Sequence, residues 1–211
     1  MAANTQETRR GRTSVFNLPN QLTTLRLLLS VALFALIHFD FYLTSLALFI
    51  IAAGTDWLDG YFARKYNQVT RLGRILDPFA DKVIVCGTFI FLAAAPAMHS
   101  DRFGVKAWMV VVIVGRELLV TALRSFIEQR GSDFSAKMAG KLKMLLQCVA
   151  AGVGLFYLHY PTALDVEQGR FVVDAPPWCD WLLLVSVWSA VVLTVYSGVG
   201  YVVAAVKLLR A

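Results

Sequence analysis

Charge is scarce in this chain: only 16% of its 211 residues are Asp, Glu, Lys or Arg, against 58% that are hydrophobic. About a quarter is usual for a soluble domain. With a mean hydropathy of +0.62, the chain reads as a polytopic membrane protein rather than a soluble one. Cysteine is sparse too. Cys86, Cys148 and Cys179 have no metal-ligand spacing, which excludes a thiolate metal site and a disulfide framework and leaves small core residues. Histidine is limited to His38, His99 and His159, all at predicted outer ends of apolar spans, where an interfacial role is expected rather than a catalytic one. There is no internal repeat, no low-complexity run and no cleavable leader pattern. Residues 1–14, polar and basic, read as a flexible cytoplasmic tail.

What is present is a series of long apolar runs. Six spans are expected in an all-α membrane domain covering residues 15–211: 22–39, 41–65, 73–97, 105–125, 138–160 and 178–207. A short amphipathic segment precedes them. In it Phe16, Leu18 and Leu22 would lie on the membrane surface, Pro19 would mark a bend and Asn20 would cap the helix that follows. Trp178, Trp181 and Trp188 read as belt and core residues around the sixth span. The formal charge of +6 excludes little alone, but the basic residues sit beside apolar spans, so orientation and anionic lipid explain them better than nucleic acid does. Lys and Arg gather in the tail, around 65–74, around 124–143 and at Lys207 and Arg210. The alternate loops carry Asp40, Asp101, Asp165, Glu167, Asp174 and Asp180. Both termini are therefore expected on the cytoplasmic side.

Four carboxylates stand out against this background. Asp56 and Asp59 lie three apart, and Asp77 and Asp81 four apart, so each pair shares a face if its segment is helical. Two facing pairs make an oxygen-rich cage suited to Mg²⁺, Mn²⁺ or Ca²⁺ rather than to softer metals. Gly60, Ala63 and Gly73 nearby would let helices and a ligand approach closely. The bland alternative is a set of buried acids paired with Arg64, Lys65, Arg71, Arg74 and Lys82. Acids inside a membrane are functional by default, which weighs against it.

The spacing D-x2-D-G-x2-A-R-x8-G-x3-D-x3-D, filled here by Asp56, Asp59, Gly60, Ala63, Arg64, Gly73, Asp77 and Asp81, resembles the signature of the CDP-alcohol phosphotransferases. These are membrane enzymes that make phospholipid head groups. The resemblance implies transfer of a phosphatidyl group from a CDP-linked lipid to an alcohol, with release of CMP. It implies Asp56, Asp59 and Asp77 as ligands of two Mg²⁺ or Mn²⁺ ions, with Asp81 completing the cage and acting as general base. Gly60 and Arg64 would meet the nucleotide end of the lipid, and Ala63 and Gly73 either the ligand or a neighbouring helix. It also implies a homodimer, although no residue pattern requires one.

A second polar constellation lies in the fourth and fifth spans. GRELLVTALR holds Arg116, Glu117, Thr121 and Arg124, and SAKMAGKLKM holds Lys137, Lys141 and Lys143. One reading is an Arg116–Glu117 or interhelical ion pair with ordinary positive-inside lysines. The other is an anion pocket for a phosphate on the acceptor, built by Arg116, Arg124, Lys141 and Lys143. Lys141 and Lys143 point to nearly opposite sides of a helix, so one of them is expected to face the pocket. These stretches, with NLPNQLTTLR at 17–26, look like the bacterial phosphatidylglycerophosphate synthases of the same superfamily. That likeness implies CDP-diacylglycerol and glycerol 3-phosphate as substrates, at the cytoplasmic face of a bacterial inner membrane. Asn20, Thr23 and Arg26 would then line the donor or acceptor site, unless capping and snorkelling account for them.

Three rivals frame the expectation. An inositol-phosphate, serine or phosphatidylglycerol acceptor would keep the cage chemistry. A divalent-cation transporter would use the acids as an ion site, but such sites lie near the midplane, often between repeated halves. An idle assembly protein would have no need of a complete motif.

Overall fold

The computed structural model describes residues 18–66, 71–99, 103–129, 138–165 and 170–210. Within these, side chains at 18–20, 22–23, 55–66, 71–78, 80–81, 126, 128–129, 138–139, 141, 170 and 207–210 lie outside the described residues. Six helices carry the fold: α1 (Leu18–His38), α2 (Tyr42–Tyr66), α3 (Arg71–Ala94), α4 (Ala107–Gln129), α5 (Met138–Leu158) and α6 (Pro177–Arg210). The apolar runs become helices because an uninterrupted backbone ladder leaves no polar group facing an apolar surround.

Local chemistry sets the ends. Helix α1 closes with the amide of Phe41 donating to the Leu36 carbonyl at 2.9 Å and that of Asp40 to the Ile37 carbonyl at 3.1 Å. This is a Schellman turn, and Asp40 takes its left-handed position with φ 61°. Tyr42 Oη then donates to Asp40 Oδ1 at 2.5 Å, tying the start of α2 to the turn. Helix α3 stops at Ala94, just ahead of Pro96, since the residue before a proline is driven out of helical geometry. A 3-10 turn, Pro96–His99, follows.

Helix α1 packs on α2 and α3, α5 on α2, α3 and α6, and α4 on α3 and α6. One core runs through the bundle, with Leu33, Phe49, Phe89, Leu92, Ile113, Leu155, Leu183 and Val187 all buried in it. Two glycines permit the closest approaches. A Cβ at Gly87 would come within 2.1 Å of the Phe34 ring, and one at Gly154 within 2.6 Å of Leu92 Cδ1. The three cysteines are free thiols.

The polarity of the bundle is inverted relative to a soluble one. Leu28, Val31, Ile50, Ile51, Val111, Leu118, Leu145, Val185, Val192 and Tyr196 are exposed, whereas Arg26, Glu117, Lys143, Gln147 and Thr194 are buried. Among the described residues one helix, Pro177–Val206, is long and apolar enough to cross a membrane by length and composition. The apolar stretches Thr24–His38, Tyr42–Gly54, Lys82–Ala94 and Leu142–Leu158 are shorter.

Three sequence expectations are corrected. The fold is not purely helical: β1 (Thr162–Asp165) and β2 (Arg170–Val173) form an antiparallel hairpin between α5 and α6, with Thr162 opposite Val173. The chain does not bend at Pro19. Helix α1 runs unbroken from Leu18, because a proline in the first turn lacks only an amide that would be unpaired there anyway. Leu18 and Leu22 are therefore part of α1 rather than of a separate surface segment, and Asn20 lies inside the helix rather than capping it. Finally, α3 ends earlier than residue 97, where the 3-10 turn takes over.

Candidate active site

Helices α2 and α3 carry the motif. Asp56, Asp59, Gly60, Ala63 and Arg64 fall in the second half of α2, and Gly73, Asp77 and Asp81 in the first half of α3. Both segments are helical, as the shared-face spacing requires. The eight side chains themselves, with those of Asn20 and Thr23 on α1 and Lys141 on α5, lie outside the described residues.

Of the second constellation, Arg116, Glu117, Thr121, Arg124 and Lys143 are described with their side chains. Helices α4, α5 and α6 bring Arg116, Glu117, Arg124, Lys143, Gln147, Thr194, Ser197 and Tyr201 into one network. Glu117 Oε1 accepts from Lys143 Nζ across the α4–α5 seam and from Arg116 Nη1 at 3.2 Å. Both ion pairs are nearly closed to solvent, with the three side chains no more than 10% exposed. Arg116 Nη2 donates to Ser197 Oγ at 3.0 Å, and Arg124 Nη2 to Tyr201 Oη at 3.4 Å. The Tyr201 ring also faces both guanidinium groups, 5.4 Å from Arg116 and 6.0 Å from Arg124. Gln147 Nε2 donates to Thr194 Oγ1 at 3.0 Å, linking α5 to α6. Thr121 turns its hydroxyl back to the Glu117 carbonyl at 2.7 Å.

Two properties give this network chemical meaning. Arg116 and Lys143 share the carboxylate of Glu117, and Arg124 adds a third cation at Tyr201, so among the described side chains positive charge is in surplus within the network. The Nε atoms of Arg116 and Arg124 are buried with no hydrogen-bond partner among the described residues. A buried donor without an acceptor is costly, and a guanidinium edge is shaped for phosphate or carboxylate. The arrangement can hold an anion. Lys82, which directly follows Asp81 on α3, lies within electrostatic reach of Glu117 and Lys143. The cationic network thus borders the helix that carries the second half of the motif.

Of the alternatives raised by the sequence for α4 and α5, the Arg116–Glu117 and interhelical ion pairs are seen. The anion pocket has beside them the two arginine Nε donors that lack a hydrogen-bond partner among the described residues. Lys143 faces the network, and the side chain of Lys141 lies outside the described residues. Sequence reasoning missed Gln147, Thr194, Ser197 and Tyr201. The available signal was a polar stripe at i, i+3 and i+7 on the otherwise apolar α6, positions 194, 197 and 201. The three histidines stay at the opposite end of the bundle. There His159 lines an open pocket with Asp40, Tyr42, Tyr160 and Phe171, and His99 Nε2 lies 3.1 Å from the Ala93 carbonyl oxygen.

Comparison with known proteins agrees with the motif. Residues 16–196 match the family model described as CDP-alcohol phosphatidyltransferase. The chain is 36% identical over 204 residues to the CDP-diacylglycerol–glycerol-3-phosphate 3-phosphatidyltransferase of Bacillus subtilis, covering 89% of this chain and 94% of that one. It is 31% identical over 192 residues to the Haemophilus influenzae protein of the same name, covering 88% and 91%. Motif, helical frame and full-length similarity converge: this chain belongs to the CDP-alcohol phosphatidyltransferase family.

Proposed function

We propose that this enzyme transfers a phosphatidyl group from CDP-diacylglycerol to glycerol 3-phosphate, giving phosphatidylglycerophosphate and CMP. The observation that carries the acceptor assignment is the buried, cation-rich network of Arg116, Arg124 and Lys143 with two open guanidinium edges. An acceptor bearing its own phosphate supplies the missing anion, whereas an uncharged acceptor leaves those edges unused. The names of the B. subtilis and H. influenzae relatives point to the same pair of substrates.

In the reaction the acceptor hydroxyl oxygen bonds to the phosphorus that carries the diacylglycerol. The bond from that phosphorus to the bridging pyrophosphate oxygen breaks, and CMP leaves. The hydroxyl proton passes to Asp81, the assigned general base. Arg64 and Gly60 bind the nucleotide end, with Ala63, Gly73, Asn20 and Thr23 lining the lipid site. Arg116, Arg124, Lys143 and Lys141 orient the acceptor phosphate, a reading supported by the place of Lys143 in the network. The family's chemistry uses divalent metal ions. The donor set fits them, since four carboxylates on two adjoining helices offer only hard oxygen. Held by Asp56, Asp59, Asp77 and Asp81, Mg²⁺ or Mn²⁺, as two ions, would neutralise the pyrophosphate and the departing phosphate.

The family's members are membrane enzymes. We place the chain in a bacterial inner membrane with six spans, residues 15–211 as one domain behind a cytoplasmic tail at 1–14, the site facing the cytoplasm, and two copies per assembly. The exposed apolar faces and the core shared by the helices support the embedding and the single domain. The alternation of basic and acidic loops supports the orientation. The assembly rests on family likeness alone.

The test is CMP release by purified, detergent-solubilised protein given CDP-diacylglycerol, Mg²⁺ or Mn²⁺, and glycerol 3-phosphate, inositol 1-phosphate, serine or phosphatidylglycerol. Metal-dependent turnover with glycerol 3-phosphate alone is expected, falling about 100-fold or more in Asp81→Asn. Turnover confined to another acceptor overturns the acceptor assignment.

A further inference from the structure

Helix α6 carries no part of the family motif, yet it holds the guanidinium assigned to the acceptor. We infer that Ser197 and Gly198 of α6 are positioning residues, which set the aim of Arg116 and thereby the affinity for the acceptor's phosphate. The inference rests on the proposed reaction and adds two residues to it.

The geometry is specific. Ser197 Oγ donates its one proton to the Thr194 carbonyl on its own helix, at 3.1 Å. It therefore meets Arg116 as an acceptor, taking the Nη2 proton at 3.0 Å. Thr194 is itself fastened to α5 through Gln147, at 3.0 Å, so the place of the serine is fixed from a second helix. The next residue leaves room. A Cβ on Gly198 would lie 3.0 Å from Arg116 Cγ, so the arginine stem runs against bare backbone. Any side chain at 198 must push that stem aside.

With Nη1 engaged by Glu117 and Nη2 by Ser197, both terminal nitrogens of Arg116 are tethered. A planar group held at two corners keeps its third donor pointing one way. That donor, Nε, is the buried one without a partner among the described residues. Ser197 and Gly198 touch no reacting atom in this scheme. They act through the arginine.

The experiment measures steady-state CMP release by the full-length protein, varying glycerol 3-phosphate and CDP-diacylglycerol separately, for wild type, Ser197→Ala, Ser197→Thr and Gly198→Ala. Thermal midpoints are taken alongside. Loss of a hydrogen bond to a charged group is expected to raise KM for glycerol 3-phosphate about tenfold in Ser197→Ala and Gly198→Ala. KM for CDP-diacylglycerol and kcat should stay within about twofold, the pattern of lost acceptor binding. Ser197→Thr, which keeps the hydroxyl, should restore much of the affinity. An unchanged KM for glycerol 3-phosphate overturns the inference while leaving the reaction standing. A parallel loss in all constants and in the midpoint also overturns it, marking a packing role only. A wild-type enzyme that turns over another acceptor but not glycerol 3-phosphate overturns the reaction assignment first, and the inference with it.

Discussion

The two halves of the bundle bury polar side chains in different ways. In α1–α3 the hydroxyls settle within their own helix: Ser30 Oγ donates to the Arg26 carbonyl at 2.8 Å, Ser45 to Phe41 at 2.8 Å and Thr88 to Ile84 at 2.7 Å. Each bond spans one turn and needs no second helix. In α4–α6 the polar groups reach across. Lys143 pairs with Glu117, Arg116 with Ser197, Arg124 with Tyr201 and Gln147 with Thr194. The first arrangement closes these three hydroxyls off, each within one turn. The second binds three helices together and leaves the Nε atoms of Arg116 and Arg124 without a hydrogen-bond partner among the described residues. A network that is costly to bury and incompletely satisfied marks a place kept for a ligand, and self-satisfied hydroxyls do not.

The contrast can be broken by substitution. The largest effect is expected from Glu117→Ala. It strips the shared counter-charge from Lys143 and Arg116 and should cost about 3–5 kcal/mol of stability, seen as a fall in the thermal midpoint in detergent. Arg116→Ala comes next. It should cut kcat/KM for glycerol 3-phosphate by about 100-fold, roughly 3 kcal/mol, while binding of CDP-diacylglycerol changes little. Arg116→Lys should recover only part of this, because an ammonium cannot reproduce the fork. In the other half, Gly87→Leu tests packing without chemistry. Its side chain meets the Phe34 ring and should cost about 1–3 kcal/mol, lowering the midpoint with acceptor KM intact. Smallest is Thr88→Val, which removes a hydroxyl bonded only to its own helix. A shift below about 1 kcal/mol and near-wild-type turnover are expected. If Thr88→Val instead proved as damaging as Glu117→Ala, the distinction between the two halves would fail.

The helical frame was legible in the sequence because long apolar runs have few other ways to satisfy their backbone. The boundaries fell within a few residues of the expected spans, and the motif lies on α2 and α3 as its spacing required. The errors came where local signals are weak. Strands of four residues at 162–165 and 170–173 carry too short an alternation to stand out in a polar outer loop. Pro19 reads as punctuation in one dimension, but in a first turn it costs nothing. At the site, Arg116, Glu117, Arg124 and Lys143 drew notice because charge inside an apolar span is conspicuous. Thr194, Ser197 and Tyr201 did not, since small hydroxyls and tyrosines are ordinary in such helices. Only the fold, which sets α6 against α4, reveals what they touch.

Helix α6 also serves as a ruler. From Pro177 to Ser197 it climbs about 20 residues, or roughly 30 Å at the usual helical rise, the thickness of a bilayer's hydrocarbon layer. Trp178 and Trp181, exposed at its first turns, suit one headgroup boundary. In the proposed membrane placement Ser197 lies near the other. On that proposal the guanidinium it holds would meet the depth of a lipid's pyrophosphate, where a water-soluble phosphate ester can arrive without entering oil.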